Sequence, residues 1–119
     1  MACVTAMKGP QDSVDEMRKA YQKRRDLLVE MLNDIPGFHC STPKGAFYVF
    51  ADIRDLSISS LEFVQYLVKE AGVVLTHGSG FGCDGFVRVS YAANLKSIEE
   101  AMKRIKKAVI ELPPSMRKP

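Results

Sequence analysis

One arginine follows a glycine-rich loop at the start of a strand pattern. The loop, residues 78–85, has four glycines in eight residues, which permits positive φ and close approach of another group. In the strand, residues 86–91, alternation puts Arg88 on the face opposite Val87 and Val89. A guanidinium stays charged and offers a rigid fork of donors that matches a carboxylate. We therefore expect loop and strand to form one wall of a binding site.

The partner of Arg88 can be read in two ways. It can be the carboxylate of a bound ligand, or it can be an internal salt bridge to Asp52, Asp84 or a helix glutamate. The residues alone leave both interpretations open.

The glycine spacing also fits a nucleotide-binding pattern, G-x-G-x-x-G over residues 80–85, extended by Val87 to the form found in kinase loops. A dinucleotide site needs a helix after the glycines, whereas a strand follows here. The V-A-I-K, H-R-D and D-F-G motifs of kinases are absent from the sequence. Nucleotide binding is not favoured, and a plain flexible loop remains an alternative.

Other residues that could act in catalysis or metal binding have no recognisable partner in the sequence. His39 and His77 have no second metal ligand or triad partner at a suitable spacing. Lys44 has no neighbour that would activate it for covalent catalysis. The sequence therefore predicts no catalytic residue and no metal site.

Three helices are predicted from serines followed three residues later by glutamate, a capping-box pattern. They begin at Ser13, Ser59 and Ser97, and stop signals follow at Pro36-Gly37, Gly72 and Pro113-Pro114. Residues 1–9 resemble the end of a helix whose start is missing, so we expect the chain to be part of a longer protein.

Strands are predicted over residues 46–51, 73–76 and 86–91, which are rich in β-branched and aromatic residues. Helices packed on one face of such a sheet would bury their apolar stripes and leave the other face open. An open face that carries Arg88 is expected when a second domain lies opposite.

Composition limits the classes of function. The chain has 119 residues, 46% hydrophobic and 26% charged, which suits one globular domain. Its net charge of +3 is weak evidence for nucleic acid, because the basic clusters fall on predicted helices. Cys3, Cys40 and Cys83 show no C-x-x-C spacing, so neither disulfides nor zinc is indicated. No apolar run approaches the ~20 residues of a membrane span, and we expect a cytoplasmic protein.

Four motifs in this order resemble the C-terminal small domain of class I/II, pyridoxal-phosphate-dependent aminotransferases of the aspartate aminotransferase family. They are Pro43-Lys44-Gly45-Ala46-Phe47-Tyr48, Glu70-Ala71-Gly72-Val73, His77-Gly78-Ser79-Gly80-Phe81-Gly82 and Val87-Arg88-Val89-Ser90-Tyr91-Ala92. The likeness extends over nearly the whole chain. It implies an α+β fold with a small, mostly antiparallel sheet of three to four strands covered on one face by helices. It also implies a division into an interdomain helix remnant (1–9), the small domain (10–112) and a disordered tail (113–119).

The resemblance assigns functions by position. Arg88 would bind the α-carboxylate of the amino-acid substrate, and Phe47 would border the substrate. The parent enzyme would transfer an amino group between an amino acid and a 2-oxo acid, with pyridoxal 5'-phosphate as cofactor, as a homodimer. The family's cofactor-binding lysine lies in the large domain, so this chain is expected to be inactive alone and to bind the cofactor poorly. The alternative is a free-standing α/β module that binds small carboxylates.

Overall fold

The computed structural model describes residues 1–118. Its regular elements are α1 (Ala2–Lys8), α2 (Asp12–Asn33), β1 (Tyr48–Asp52), α3 (Ser60–Ala71), β2 (Thr76–His77), β3 (Phe86–Ser90) and α4 (Leu95–Ile110). Short 3-10 turns span Arg54–Leu56, Gly78–Phe81 and Pro114–Met116. Within residues 1–118, none of the helices combines the length and apolar composition that crossing a bilayer requires.

The central strand of the sheet is β3, which lies antiparallel between β1 and β2. Its valines, Val87 and Val89, point into the core with Val49 and Ala51 of β1. Apolar residues of α2, α3 and α4 cover this inner face; among them are Leu28, Leu32, Phe63, Leu67, Ile98 and Ile105. The predicted α+β fold, a small antiparallel sheet covered on one face by helices, is confirmed.

Two strand predictions were wrong in their bounds. β1 begins at Tyr48 rather than Ala46, because Ala46 has a left-handed φ of 57° that is incompatible with an extended strand. β2 is limited to Thr76 and His77, which pair with Arg88 and Val87. The residues before it follow the end of α3 and lie outside the ladder.

The capping predictions had mixed outcomes. Ser59 does cap α3, because its Oγ accepts the N–H of Glu62 at 3.3 Å. Ser97 does not cap α4: Asn94, three residues earlier, accepts the N–H of Ser97 at 2.8 Å, so the helix begins before the serine. Ser13 likewise lies inside α2, which begins at Asp12 without a side-chain cap.

The N-terminal helices project from the rest of the molecule. α1 has no buried residue, and the first buried residue of α2 is Leu28. The principal extents of the molecule are therefore unequal, at 56 × 29 × 24 Å. The side chain of Gln11 joins the two helices by donating to the carbonyl oxygens of Ala6 at 2.9 Å and Gly9 at 3.1 Å.

The tail, residues 113–119, for which we expect disorder, is described as far as Lys118. In it, Pro114–Met116 form a 3-10 turn, and the partly buried Met116 packs against the core. Pro119 lies outside the described residues.

Candidate functional site

Arg88 lies at the middle of the central strand, on the outer face of the sheet. Its strand partners are Phe50 of β1 and Thr76 of β2. Since Val87 and Val89 are buried, the alternation of β3 directs Arg88 away from the core. The ladder on both sides fixes the backbone from which the guanidinium projects.

Two aromatic rings flank the guanidinium of Arg88. Its Cζ lies 4.3 Å from the ring centroid of Tyr48 and 4.8 Å from that of Phe81. Both distances suit a cation–π interaction, which holds the side chain while leaving its N–H donors available. Tyr48 comes from β1 and Phe81 comes from the glycine-rich loop.

The internal salt bridge considered from the sequence is not formed within residues 1–118. Asp52 binds Arg54 instead, with 2.6 Å between Arg54 Nη2 and Asp52 Oδ2. Asp84 accepts from Ser60, at 2.7 Å from the backbone N–H and 2.8 Å from the hydroxyl. No carboxylate of the described residues lies within ion-pair distance of Arg88, so its charge is available to a ligand.

The outer face around Arg88 is largely aromatic. The rings of Phe50 and Phe86 stack with their centroids 5.1 Å apart, and Phe50 meets Phe81 edge-on at 6.5 Å. Phe50 and Phe81 remain 41% and 54% exposed. A half-buried cation among rings suits a small ligand with one carboxylate and an apolar or planar body.

Phe47, the other predicted substrate contact, lies beside this group rather than against Arg88. Its ring stacks on Tyr21 of α2 at 6.1 Å and lies 4.5 Å from the ring of Tyr48. The structure therefore brings Tyr48, not Phe47, into ring contact with the guanidinium. The contact follows from the β1–β3 register, which pairs Tyr48 with Ser90 on the face that bears Arg88 and could not be read from the sequence.

The glycine-rich loop is an ordered turn whose amides are already used. The N–H of Gly80 donates to Nδ1 of His77 at 3.2 Å, that of Cys83 to the carbonyl of Gly78 at 3.0 Å, and that of Ser79 to the hydroxyl of Ser60 at 3.1 Å. A phosphate cradle requires free N–H groups pointing at the ligand. These amides serve the loop's own turn and its attachment to Ser60, and the loop carries the Phe81 ring.

Ser60 and Asp84 form a connection that the sequence did not reveal. They are 24 residues apart, and no spacing rule links a helix start to a loop at that distance. The backbone N–H and then the hydroxyl of Ser60 hold the pKa of the Asp84 carboxyl below its ordinary value. In the same way, the Arg54 side chain lowers the pKa of Asp52.

The remaining candidates lie away from Arg88 or serve local structure. His39 forms a surface pair with Asp55 at 2.6 Å, and His77 caps the turn at Gly78–Phe81. All three cysteines are free, and burial raises the pKa of the Cys40 thiol to about 11, which makes it a poor nucleophile. Across residues 1–118, no cluster of His, Cys, Asp or Glu could hold a metal ion.

The lysines of the described residues lie apart from the strands that present Arg88. None of the three strands that present Arg88 carries a lysine, and Lys44 is exposed in the segment before β1. The loop amides that could receive a phosphate already have partners. What this face offers is one cation, Arg88, between aromatic rings.

Comparison of the chain with known proteins identifies its family. The model of aminotransferase class I and II matches residues 1–105. The chain is 43% identical to aspartate aminotransferase of Bacillus sp. strain YM-2, over 91% of this chain and 29% of that protein. It is 46% identical to aromatic-amino-acid aminotransferase 2 of Thermococcus litoralis, over 83% of this chain and 26% of that protein.

A solved structure agrees with the sequence comparisons. The aspartate aminotransferase of Rhizobium meliloti superposes with a TM-score of 0.89 at 37% identity, over 94% of this chain and 30% of that one. The chain thus spans less than a third of the length of these three proteins. It belongs to the class I and II aminotransferase family.

Proposed function

We propose that this chain is the small domain of an aminotransferase and that Arg88 binds the α-carboxylate of the amino-acid and 2-oxo-acid substrates. The observation that carries the proposal is the placement of Arg88: on an open sheet face, between the rings of Tyr48 and Phe81, with no carboxylate partner within residues 1–118. Membership of the aminotransferase family supports a carboxylate as the ligand.

The role of the chain in the reaction is to bind and orient substrate. Two parallel N–H bonds from a guanidinium fix both the position and the plane of a carboxylate. The aromatic surroundings exclude water from one side of that ion pair, which strengthens it. Pyridoxal phosphate, held by the missing large domain, would supply the electron sink for amino-group transfer. We further propose that the loop and sheet move toward that domain when substrate binds.

The large domain is the partner we propose for the projecting helices, with residues 1–9 forming part of an interdomain helix. Val4, Met7, Val14 and Met17 along α1 and α2 are all more than half exposed. Apolar side chains in such a row stabilise a protein when another surface covers them. A homodimer of the complete enzyme is likewise a proposal from the family.

Domain replacement provides a direct test. This chain would replace the matching region of the Bacillus sp. YM-2 relative, whose name specifies aspartate as substrate. We expect the chimera to transaminate, and Arg88→Ala to lower its kcat/KM at least about tenfold, since hydrogen bonds to charged groups contribute ~1.5–3 kcal/mol. Arg54→Ala is the matched control, because Arg54 is an exposed arginine already paired with Asp52.

Equal activity of the Arg88→Ala and Arg54→Ala chimeras would contradict the role of Arg88.

The separate 119-residue chain tests the domain assignment. After incubation with pyridoxal phosphate and gel filtration, it should retain no stoichiometric cofactor. Turnover of an amino acid by the chain alone would instead favour a free-standing protein.

A further inference from the structure

Ser60 is a fully buried polar side chain in the core next to the proposed site. It is the first residue of α3, directly after the capping residue Ser59. Its hydroxyl donates to Oδ1 of Asp84 at 2.8 Å and accepts the N–H of Ser79 at 3.1 Å. One hydroxyl thus ties both ends of the glycine-rich loop to a helix that lies elsewhere in the sequence.

Phe81 lies between these two attachment points. Its ring is the part of the loop that contacts Arg88, and its centroid lies 4.8 Å from Cζ of that residue. The other flanking ring, Tyr48, is fixed independently by the β1–β3 ladder. The two rings therefore differ in support: the ladder holds Tyr48, whereas Ser60 holds the loop that carries Phe81.

We propose that Ser60 is a positioning residue for Arg88, which acts by tying the loop at Ser79 and Asp84 so that Phe81 stays against the guanidinium. The hydroxyl suits this function because it is donor and acceptor at once and is itself fully buried. Removal of the hydroxyl leaves the Ser79 N–H without its partner and removes one of the bonds to Asp84. The proposal deepens the proposed function, on which it rests for the role of Arg88.

The test uses NMR of the 119-residue chain. Ring currents of Phe81 should shift the Arg88 Hδ and Nε–H resonances, and nuclear Overhauser effects should connect the two side chains. In Ser60→Ala we expect these effects to weaken, so that the Arg88 shifts approach those of Phe81→Leu. The Kd for 2-oxoglutarate should rise about two- to fivefold, the range set by one cation–π contact.

Ser59→Ala is the matched control. Ser59 also bears a hydroxyl at the start of α3, but its bonds go to Glu62 and not to the loop. Loss of this cap weakens the helix while leaving the Arg88 resonances in place. If Ser60→Ala leaves those resonances as unchanged as Ser59→Ala does, the proposal is overturned.

A second pair of variants changes the loop residue of the Ser60–Asp84 hydrogen bond. Asp84→Ala removes the acceptor, whereas Asp84→Asn keeps an oxygen at the same position and should restore the Arg88 resonances. This pair decides the matter if Ser60→Ala does not fold, and equal spectra for the two would overturn the proposal. Failure of the proposed function has a different signature: the resonances move in Ser60→Ala, but Arg88→Ala does not change 2-oxoglutarate binding.

Discussion

The two faces of the sheet use the same backbone for opposite purposes. On the inner face, Val87 and Val89 contact a continuous apolar core and are at most 4% exposed. On the outer face, one residue away along the same strand, Arg88 lies among exposed rings. Burial on one side stabilises the fold, so the other side can carry a cation without a partner in the described chain. The difference shows that the fold and the proposed site depend on separate sets of side chains.

The strongest test of this separation compares one substitution on each face of the sheet. Val87→Asp puts an unpaired carboxylate in the core and should lower the free energy of unfolding by at least about 3 kcal/mol. Arg88→Ala removes only an outer-face contact and should cost less than about 1 kcal/mol. Urea unfolding followed by circular dichroism measures both. Similar losses would show that the two faces are not independent.

A substitution in the glycine-rich loop, which borders the outer face, should lower the free energy of unfolding by an intermediate amount. A Cβ at Gly78 would lie 2.3 Å from the carbonyl oxygen of Cys83 and 2.5 Å from that of Phe86. Since both obstacles are backbone, Gly78→Ala should cost about 1–3 kcal/mol through displacement of the loop. Gly45→Ala, where no atom lies within 4 Å, should stay within about 0.5 kcal/mol of the parent chain. Unfolding free energies in urea that rank the two variants the other way would refute this placement of the loop.

The smallest expected effect is the pH dependence of the stability that the Ser60–Asp84 hydrogen bonds contribute. Hydrogen bonds from Ser60 lower the pKa of Asp84 in the folded state, so its charged form stabilises the fold above the unfolded pKa of about 3.9. That contribution is lost as the pH falls through the lower, folded pKa. Asp84→Asn cannot titrate, so the stability difference between the parent chain and this variant should be constant above about pH 5 and shrink below about pH 4. Because Asp84 is exposed, the change should be under about 1 kcal/mol.

Urea titrations at several pH values measure this difference directly. The other carboxylates titrate alike in both chains and cancel in the comparison. A difference that does not change with pH would mean that the Asp84 charge adds nothing to the attachment.

Local patterns in the sequence were enough to predict several features. The alternation of Val87, Arg88 and Val89 correctly assigned their faces, since period-two burial follows from strand geometry. The cap at Ser59 and the end of α3 at Gly72 were also predicted, because each depends on residues within one helical turn.

The features that the sequence did not predict depend on contacts distant in the chain or on competition between neighbours. Asn94 replaced Ser97 as the cap of α4, because two acceptors three residues apart both fit the rule. The contact of the Tyr48 ring with Arg88 required the β1–β3 register, and the bond of Ser60 to Asp84 required the packing of α3 on the loop. Neither has a local signature in the sequence.

The position of β3 at the centre of the sheet also determines the order in which the chain can fold. β1 and β2 precede β3 in sequence, and β3 is the strand with which each of them pairs in the sheet, so neither has a strand partner until residues 86–90 are available. Tyr48 must find Ser90 across the segment that holds α3 and β2, a non-local step that slows folding. During synthesis the sheet and the proposed carboxylate site would therefore form in a single event, on emergence of the strand that carries Arg88.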